Sequence, residues 1–321
     1  MMRRTGVAVL AALALLALCP VDAWAWTPGT HILLGEAVLG SADLLLPVGL
    51  ATLLRAFPLD FLYGSIAADT SFAKRYAKVG RHCHHWPVAD EIMDRARDEP
   101  LQAFAWGYLA HLAADVVAHN HFVPLQLAVT SASGGAGHGY WESRFELQTG
   151  ERWSRRARDL IQMDHDRSDA HLDRILSPTI FSTPTNRRIF RGMVHASDTA
   201  SWQRMMTLMA ARSRWVLRDA TVAAQLALSF DYVVDLMVHG SASAPRRFDP
   251  SGEVALREST RFRRSAVGAG ARGVRQEATR RFALPTERPG WSDRLPGPLH
   301  RTAPLTTRRR GPQPPARPAS S

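Results

Sequence analysis

Cysteine is nearly absent: Cys19 and Cys83 are the only two in 321 residues. A fold stapled by disulfides is therefore excluded, and the length is ample for one large hydrophobic core instead. Long apolar runs are missing beyond the first two dozen residues, which excludes a chain that crosses a membrane many times. Strand-like alternation of apolar and polar residues is scarce, which argues against a sheet-based fold. Lysine is almost missing too, with 2 Lys against 38 Arg. The net charge of +11 suggests a nucleic-acid binder until its distribution is considered. The last 81 residues hold 17 Arg against 6 carboxylates, an excess as large as that of the whole chain. The remaining body is neutral, so no nucleic-acid partner is expected.

Met1 to Ala25 has the pattern of a secretory signal: Arg3 and Arg4, an apolar stretch from Val7 to Leu18, then Ala23-Trp24-Ala25 as a cleavage site. Cleavage there leaves Trp26 first and predicts a secreted or periplasmic protein. A lipid anchor on Cys19 is disfavoured because Leu18, not a small residue, precedes it.

From residue 26 to 240 the chain reads as an all-α, multi-helix bundle of about eight to ten helices at an ordinary ~11–12 residues each. Apolar residues recur at helical spacing in Ile32–Leu39, Leu101–Val117, Leu160–Leu176 and Val216–Val238. Breaks are expected at Pro58, Pro87, Pro100, Pro124, the Gly-rich Ser131–Gly139 and Pro178–Pro184. Residues 241–321 are Arg- and Pro-rich, with room for one polar helix between Glu253 and Ala283. They are expected to form a largely disordered basic tail, either solubilising or attracted to an anionic membrane surface. A monomer is expected.

The segment GYLAHLAADVVAHNHFVP (107–124) carries the chemistry. His111, Asp115 and His119 stand at i, i+4 and i+8, one face of a helix, with a drift of only ~40° per step. The helix is otherwise apolar and so expected to be buried. An isolated buried carboxylate is costly, whereas a divalent cation requires carboxylate and imidazole together. His121, two residues on, faces a different way. A second cluster is Arg81-His-Cys-His-His-Trp86, where His82 and His84 share a side of an extended segment and either suits a metal. Oxygen and imidazole ligands elsewhere point to a hydrolytic zinc site rather than a thiolate one. A third is His138-Gly-Tyr-Trp-Glu142, again at a spacing of four. Asp69 ends an apolar, small-residue segment, and His31 lies five residues after Trp26.

The order of these residues resembles the zinc-dependent phospholipase C/D family, which includes secreted phosphatidylcholine-cleaving enzymes and the glycosylphosphatidylinositol phospholipase D domain. The resemblance runs from Trp26 to Glu142 and rests on Trp26, His31, Asp69, His84 (or His82), His111, Asp115, His119, His138 and Glu142. It implies the fold shared by that family and P1 nuclease, and up to three Zn2+ ions. One ion would take Asp69, His84, His111 and Asp115. A second would take the amino nitrogen and carbonyl oxygen of Trp26, with His31 and a bridging Asp115. The third would take His119, His138 and Glu142. The phosphatidylcholine-cleaving members space their later histidine so as to select His121, and the phospholipase D type domain so as to select His119. The implied activity is phospholipase C-type hydrolysis of a phospholipid or other phosphodiester, with Asp69 as the catalytic carboxylate. The other readings are a non-catalytic zinc-stabilised envelope protein and an S1/P1-type nuclease.

Overall fold

A computed structural model describes residues 26–71, 76–77, 81–130, 134–266 and 270–299. The proposed signal segment and Cys19 lie outside the described residues. Among the described residues the architecture is all-α, with no strand. Helices α1 (Pro28–Leu45), α2 (Val48–Ala56), α3 (Pro58–Ala67), α4 (Trp86–Asp94) and α5 (Glu99–Val117) come first. A π-helical turn, Ala118–Phe122, joins α5 to α6 (Val123–Thr130). Next come α7 (Gly134–Thr149), α8 (Glu151–Ile161), α9 (Asp166–Asp173), α10 (Thr183–Ser197), α11 (Ala200–Arg212), α12 (Asp219–His239), α13 (Glu253–Ser265) and α14 (Ala271–Phe282).

Helix α5 is the central post. Asp98 caps it, accepting from the Leu101 N–H at 3.1 Å, and Pro100 falls in the first turn, where no amide proton is needed. Its surroundings bury every residue from Gly107 to Val117. It crosses α3 at a point where both helices have glycine: a Cβ on Gly107 would stand 2.0 Å from the Phe61 carbonyl oxygen, and one on Gly64 2.0 Å from that of Phe104. This backbone-to-backbone approach puts Asp69, just past the end of α3, beside the α5 face that bears His111 and Asp115. Helix α12 is apolar and long enough to cross a membrane, but 72% of its apolar stretch is buried inside the protein. It is a core helix.

The structure corrects several expectations drawn from the sequence. Pro124 does not break the helix. It lacks the N–H that would bond to the Asn120 carbonyl and would clash with it, and the chain adjusts by one π turn, in which the Val123 N–H reaches the Ala118 carbonyl. The expected helix over Leu160–Leu176 is two: α8 ends at Ile161, and His165 Nε2 turns back to the Leu160 carbonyl at 2.8 Å before α9 begins. Such interruptions make twelve helices between Pro28 and His239, above the eight to ten expected. Residue 240 is not the end of the packed body. Residues 253–282 hold two helices rather than one, and Ala278, Phe282 and Leu299 are buried. Asp231 and Asp235, on buried turns of α12, anchor the segment after α14. Asp231 accepts from Arg288 Nη1 (2.8 Å), Gly290 N–H (3.2 Å) and Ser292 N–H (2.6 Å), and Asp235 from the Trp291 indole (3.4 Å). The abundance of Arg hid these contacts, because their acceptors lie on a helix some 55 residues earlier. Residues 300–321 lie outside the described residues.

Candidate metal centre

Asp115 stands at the middle of a fully buried cluster. Its Oδ1 is 3.1 Å from His31 Nε2, and its Oδ2 is 3.0 Å from His84 Nε2 and 3.1 Å from His111 Nε2. Asp69 Oδ1 faces the same two imidazoles, at 3.4 Å from His84 Nε2 and 3.9 Å from His111 Nε2. The rings of His31 and His111 stack at 3.9 Å. These five side chains come from α1, the turn after α3, the loop before α4, and α5, so the cluster ties together four separate stretches of chain.

The chemistry of the donors tests whether a cation fits. His111 Nδ1 lies 2.9 Å from the Ser65 carbonyl. A carbonyl only accepts, so Nδ1 carries the proton and Nε2 presents a lone pair to the Asp115 carboxylate. Burial, followed by the nearby His111, pushes the His31 imidazole below its ordinary range, toward the neutral form that ligates metals. Burial alone would raise the Asp115 carboxyl, but His111 and His31 together hold it well below the usual carboxylate range. His31 Nε2 and both Asp115 oxygens are buried, and none completes a hydrogen bond. Imidazole nitrogens and carboxylate oxygens converge here, with His111 Nε2 also 3.1 Å from His84 Nε2. Positive charge between them resolves the arrangement, and the His/Asp donor set suits zinc.

A second group forms on the same axis. The π turn puts His119 toward α7, where His138 Nε2 and Glu142 Oε1 lie 2.6 Å apart. Ligand atoms of His119, His138 and Glu142 fall within 4.8 Å of one another, as do those of His84, His111 and Asp115, and those of His31, Asp69 and His111. The His119 and His138 rings meet edge to face at 5.3 Å, and His84 bridges toward them, 6.2 Å from His119. His119 Nδ1 donates to the Pro250 carbonyl at 2.6 Å, which again leaves Nε2 as the ligand lone pair. His121 goes elsewhere: its Nδ1 donates to the Ala283 carbonyl at 2.8 Å, and its ring meets Phe248.

The 81–85 segment is a turn rather than an extended strand. The His85 N–H reaches the His82 carbonyl at 3.0 Å, and His82 Nδ1 accepts the His84 N–H at 3.1 Å. The tight turn aims only His84 into the cluster, while His82 stacks on His85 at 4.8 Å. Buried Cys83 places its Sγ 3.3 Å from His84 Nδ1, and His82, Cys83 and His84 form a further compact donor group. Trp26 is buried. Its indole N–H is shared between the Ala114 carbonyl and Ser229 Oγ, both at 3.1 Å, and its ring packs on Phe145 and Phe122. Trp26 is thus held beside Ala114, the neighbour of Asp115.

Sequence reasoning missed the residues that orient the ligands. Pro250 and Gly252 lie in the stretch read as a tail. Gly252 adopts φ +60°, and a Cβ there would stand 2.4 Å from His119 Cβ. Asn120 also bonds to this stretch, through the Asp249 carbonyl at 2.9 Å. The one available signal was a Pro-Ser-Gly turn after Asp249, which says nothing of its partner. Glu146, one turn beyond Glu142, was also passed over. It accepts from the Gly29 N–H at 3.1 Å at the start of α1, and burial pushes its carboxyl up to about 6.

No curated protein and no solved structure matches the chain. A family model described as zinc dependent phospholipase C matches residues 30–180, a span that holds every clustered His, Asp and Glu of the two groups. Over that span the chain is similar to the zinc-dependent phospholipase C family.

Proposed function

We propose that the chain is a secreted phosphodiesterase that binds three zinc ions and hydrolyses phospholipids in the manner of a phospholipase C. The observation that carries the reading is the placement of Asp115, with one oxygen toward His31 and the other toward His84 and His111. A carboxylate so shared suits a bridge between two ions. Asp69, His84, His111 and Asp115 would hold one ion, His31 and Asp115 with the Trp26 amine and carbonyl a second, and His119, His138 and Glu142 the third. Zinc, when bound, supplies Lewis acidity that neutralises phosphoryl oxygens and lowers the pKa of water toward ~7. The chain's own residues do the rest. Asp69 is a carboxylate among imidazoles, suited to orient the attacking water and accept its proton. The Ser65 and Pro250 carbonyls fix the tautomers of His111 and His119. The apolar packing around α5 keeps the carboxylates out of bulk water, which strengthens their attraction for cations.

Cleavage before Trp26 would free an amine that an upstream residue would otherwise hold as an amide, a very poor ligand. The precursor would then lack a complete centre. The test is to purify the form that starts at Trp26, count its metals, and assay it on phospholipids of different headgroups and on single-stranded DNA. Phosphomonoester release from a phospholipid, abolished by chelation and by Asp69→Asn, is expected. Metal without turnover of any lipid, or turnover of DNA alone, would overturn the reading.

A further inference from the structure

Helix α11 lies outside the family-matched span, and among its thirteen residues only Met206 is buried. Met205, Leu208, Met209 and Arg212 follow at i, i+3, i+4 and i+7, one stripe of a helix. That stripe faces outward: Leu208 is 58% exposed and Met209 45%. With Tyr140 and Arg204 it lines an open groove of about 680 Å³. The loop that follows adds Val216, 72% exposed. Arg204, Arg212, Arg214 and Arg218 are all exposed, and no Asp or Glu occurs from Thr199 to Arg218. Apolar side chains ringed by cations of one sign, with no carboxylate among them, complement a surface that is apolar inside and anionic at its edge.

The patch is also joined to the metal centre. Tyr140 lies on α7 between His138 and Glu142. Arg144, on the same helix, donates to the Trp215 carbonyl at 2.8 Å, and Gln148 to the Leu217 carbonyl at 2.8 Å. The outward loop thus hangs on the helix that supplies two ligands of one group.

We propose that α11 and residues 213–218 form the surface that docks this protein on an anionic phospholipid bilayer, with Leu208, Met209 and Val216 entering the headgroup region and the four arginines meeting lipid phosphates. The inference rests on phospholipid being the substrate, and it shifts the membrane contact from the C-terminal arginines to the body.

The test uses the form that starts at Trp26, with its full C-terminus, and vesicles of phosphatidylcholine with or without phosphatidylglycerol. Partition is read by co-sedimentation across a salt series, beside zinc content, thermal unfolding, oligomeric state and turnover of a soluble short-chain substrate. Leu208→Glu with Met209→Glu should abolish partition onto anionic vesicles. Arg204→Ser with Arg212→Ser should weaken it roughly 30-fold and flatten its salt dependence. Both should keep zinc, stability and soluble turnover, because none of these side chains is buried. Wild-type partition in both variants, or loss of partition only on removal of residues 300–321, would overturn the proposal. So would an oligomer dissolved by these substitutions, which would make a second copy the occupant. Wild-type protein that partitions through α11 yet cleaves no lipid would leave the docking surface standing and refute the enzymatic reading.

Discussion

His119 and His121 differ in what they face, and their neighbours predict different losses. His119 Nε2 meets His138 and Glu142, whereas His121 is hydrogen-bonded to the Ala283 carbonyl away from both groups. His119→Ala should therefore lose about one zinc equivalent, and His121→Ala should keep all the zinc while lowering the melting temperature through the lost anchor. Mass-spectrometric metal counts on both variants check this, and the reverse pattern would put His121 in the site. Glu146 offers a pH test. Its folded pKa of about 6 lies above its ordinary value of 4.5, so the folded state holds the proton longer than the unfolded chain. The stabilisation is fully present below about pH 4.5 and is lost as pH rises through about 6. The shift corresponds to ~2 kcal/mol. Glu146→Gln should remove this pH slope and be more stable than wild type near pH 7, by the difference between the two denaturant-unfolding profiles. Parallel profiles would show that Glu146 ionises normally.

At the scale of elements, the helices that place the site were legible where their apolar residues keep one period: Ile32–Leu39 and Leu101–Val117 fall within α1 and α5, and Val216–Val238 overlaps α12 but starts three residues before it. The i, i+4 register of His111 and Asp115 was equally legible, because a helix turns that spacing into a shared face, whereas His119 lies in the π turn and joins His138 and Glu142 instead. What the sequence did not disclose is contact across distance. No local pattern indicates that Pro250 and Gly252 press on His119, or that Gly64 and Gly107 are paired. These places now carry their own prediction. Gly252→Ala adds a Cβ at 2.4 Å from His119 Cβ in a left-handed backbone conformation, and the backbone strain alone costs about 1–2 kcal/mol. It should lower thermal stability and cost zinc from the His119, His138 and Glu142 group, while Gly270→Ala, which has open space around it, should change neither. Equal zinc in both variants would mean that the 249–252 turn is not a support of His119.

At the scale of the whole molecule, the segment after residue 240 acts as a clamp. Besides the contact at His119, Arg246 grips Asp90 through two bonds of 2.9 and 2.6 Å, and the Trp86 indole donates to the Phe248 carbonyl at 2.9 Å. A chain ended at residue 240 should consequently lose zinc and stability, and one ended at 299 should keep both. Composition misled here. Arginine-rich sequence reads as solvated tail, yet Arg288 pairs with the buried Asp231 on α12 and Arg246 with Asp90 on α4. One buried carboxylate, Asp115, is shared by imidazoles from three parts of the chain, and zinc stoichiometry of the Trp26-start protein against its Asp115→Asn variant tests that sharing most directly. Three zinc ions in the wild type and a loss of more than one in the folded variant is the predicted result. A variant that retains the wild-type zinc content, or gives up a single ion, would contradict the bridging role.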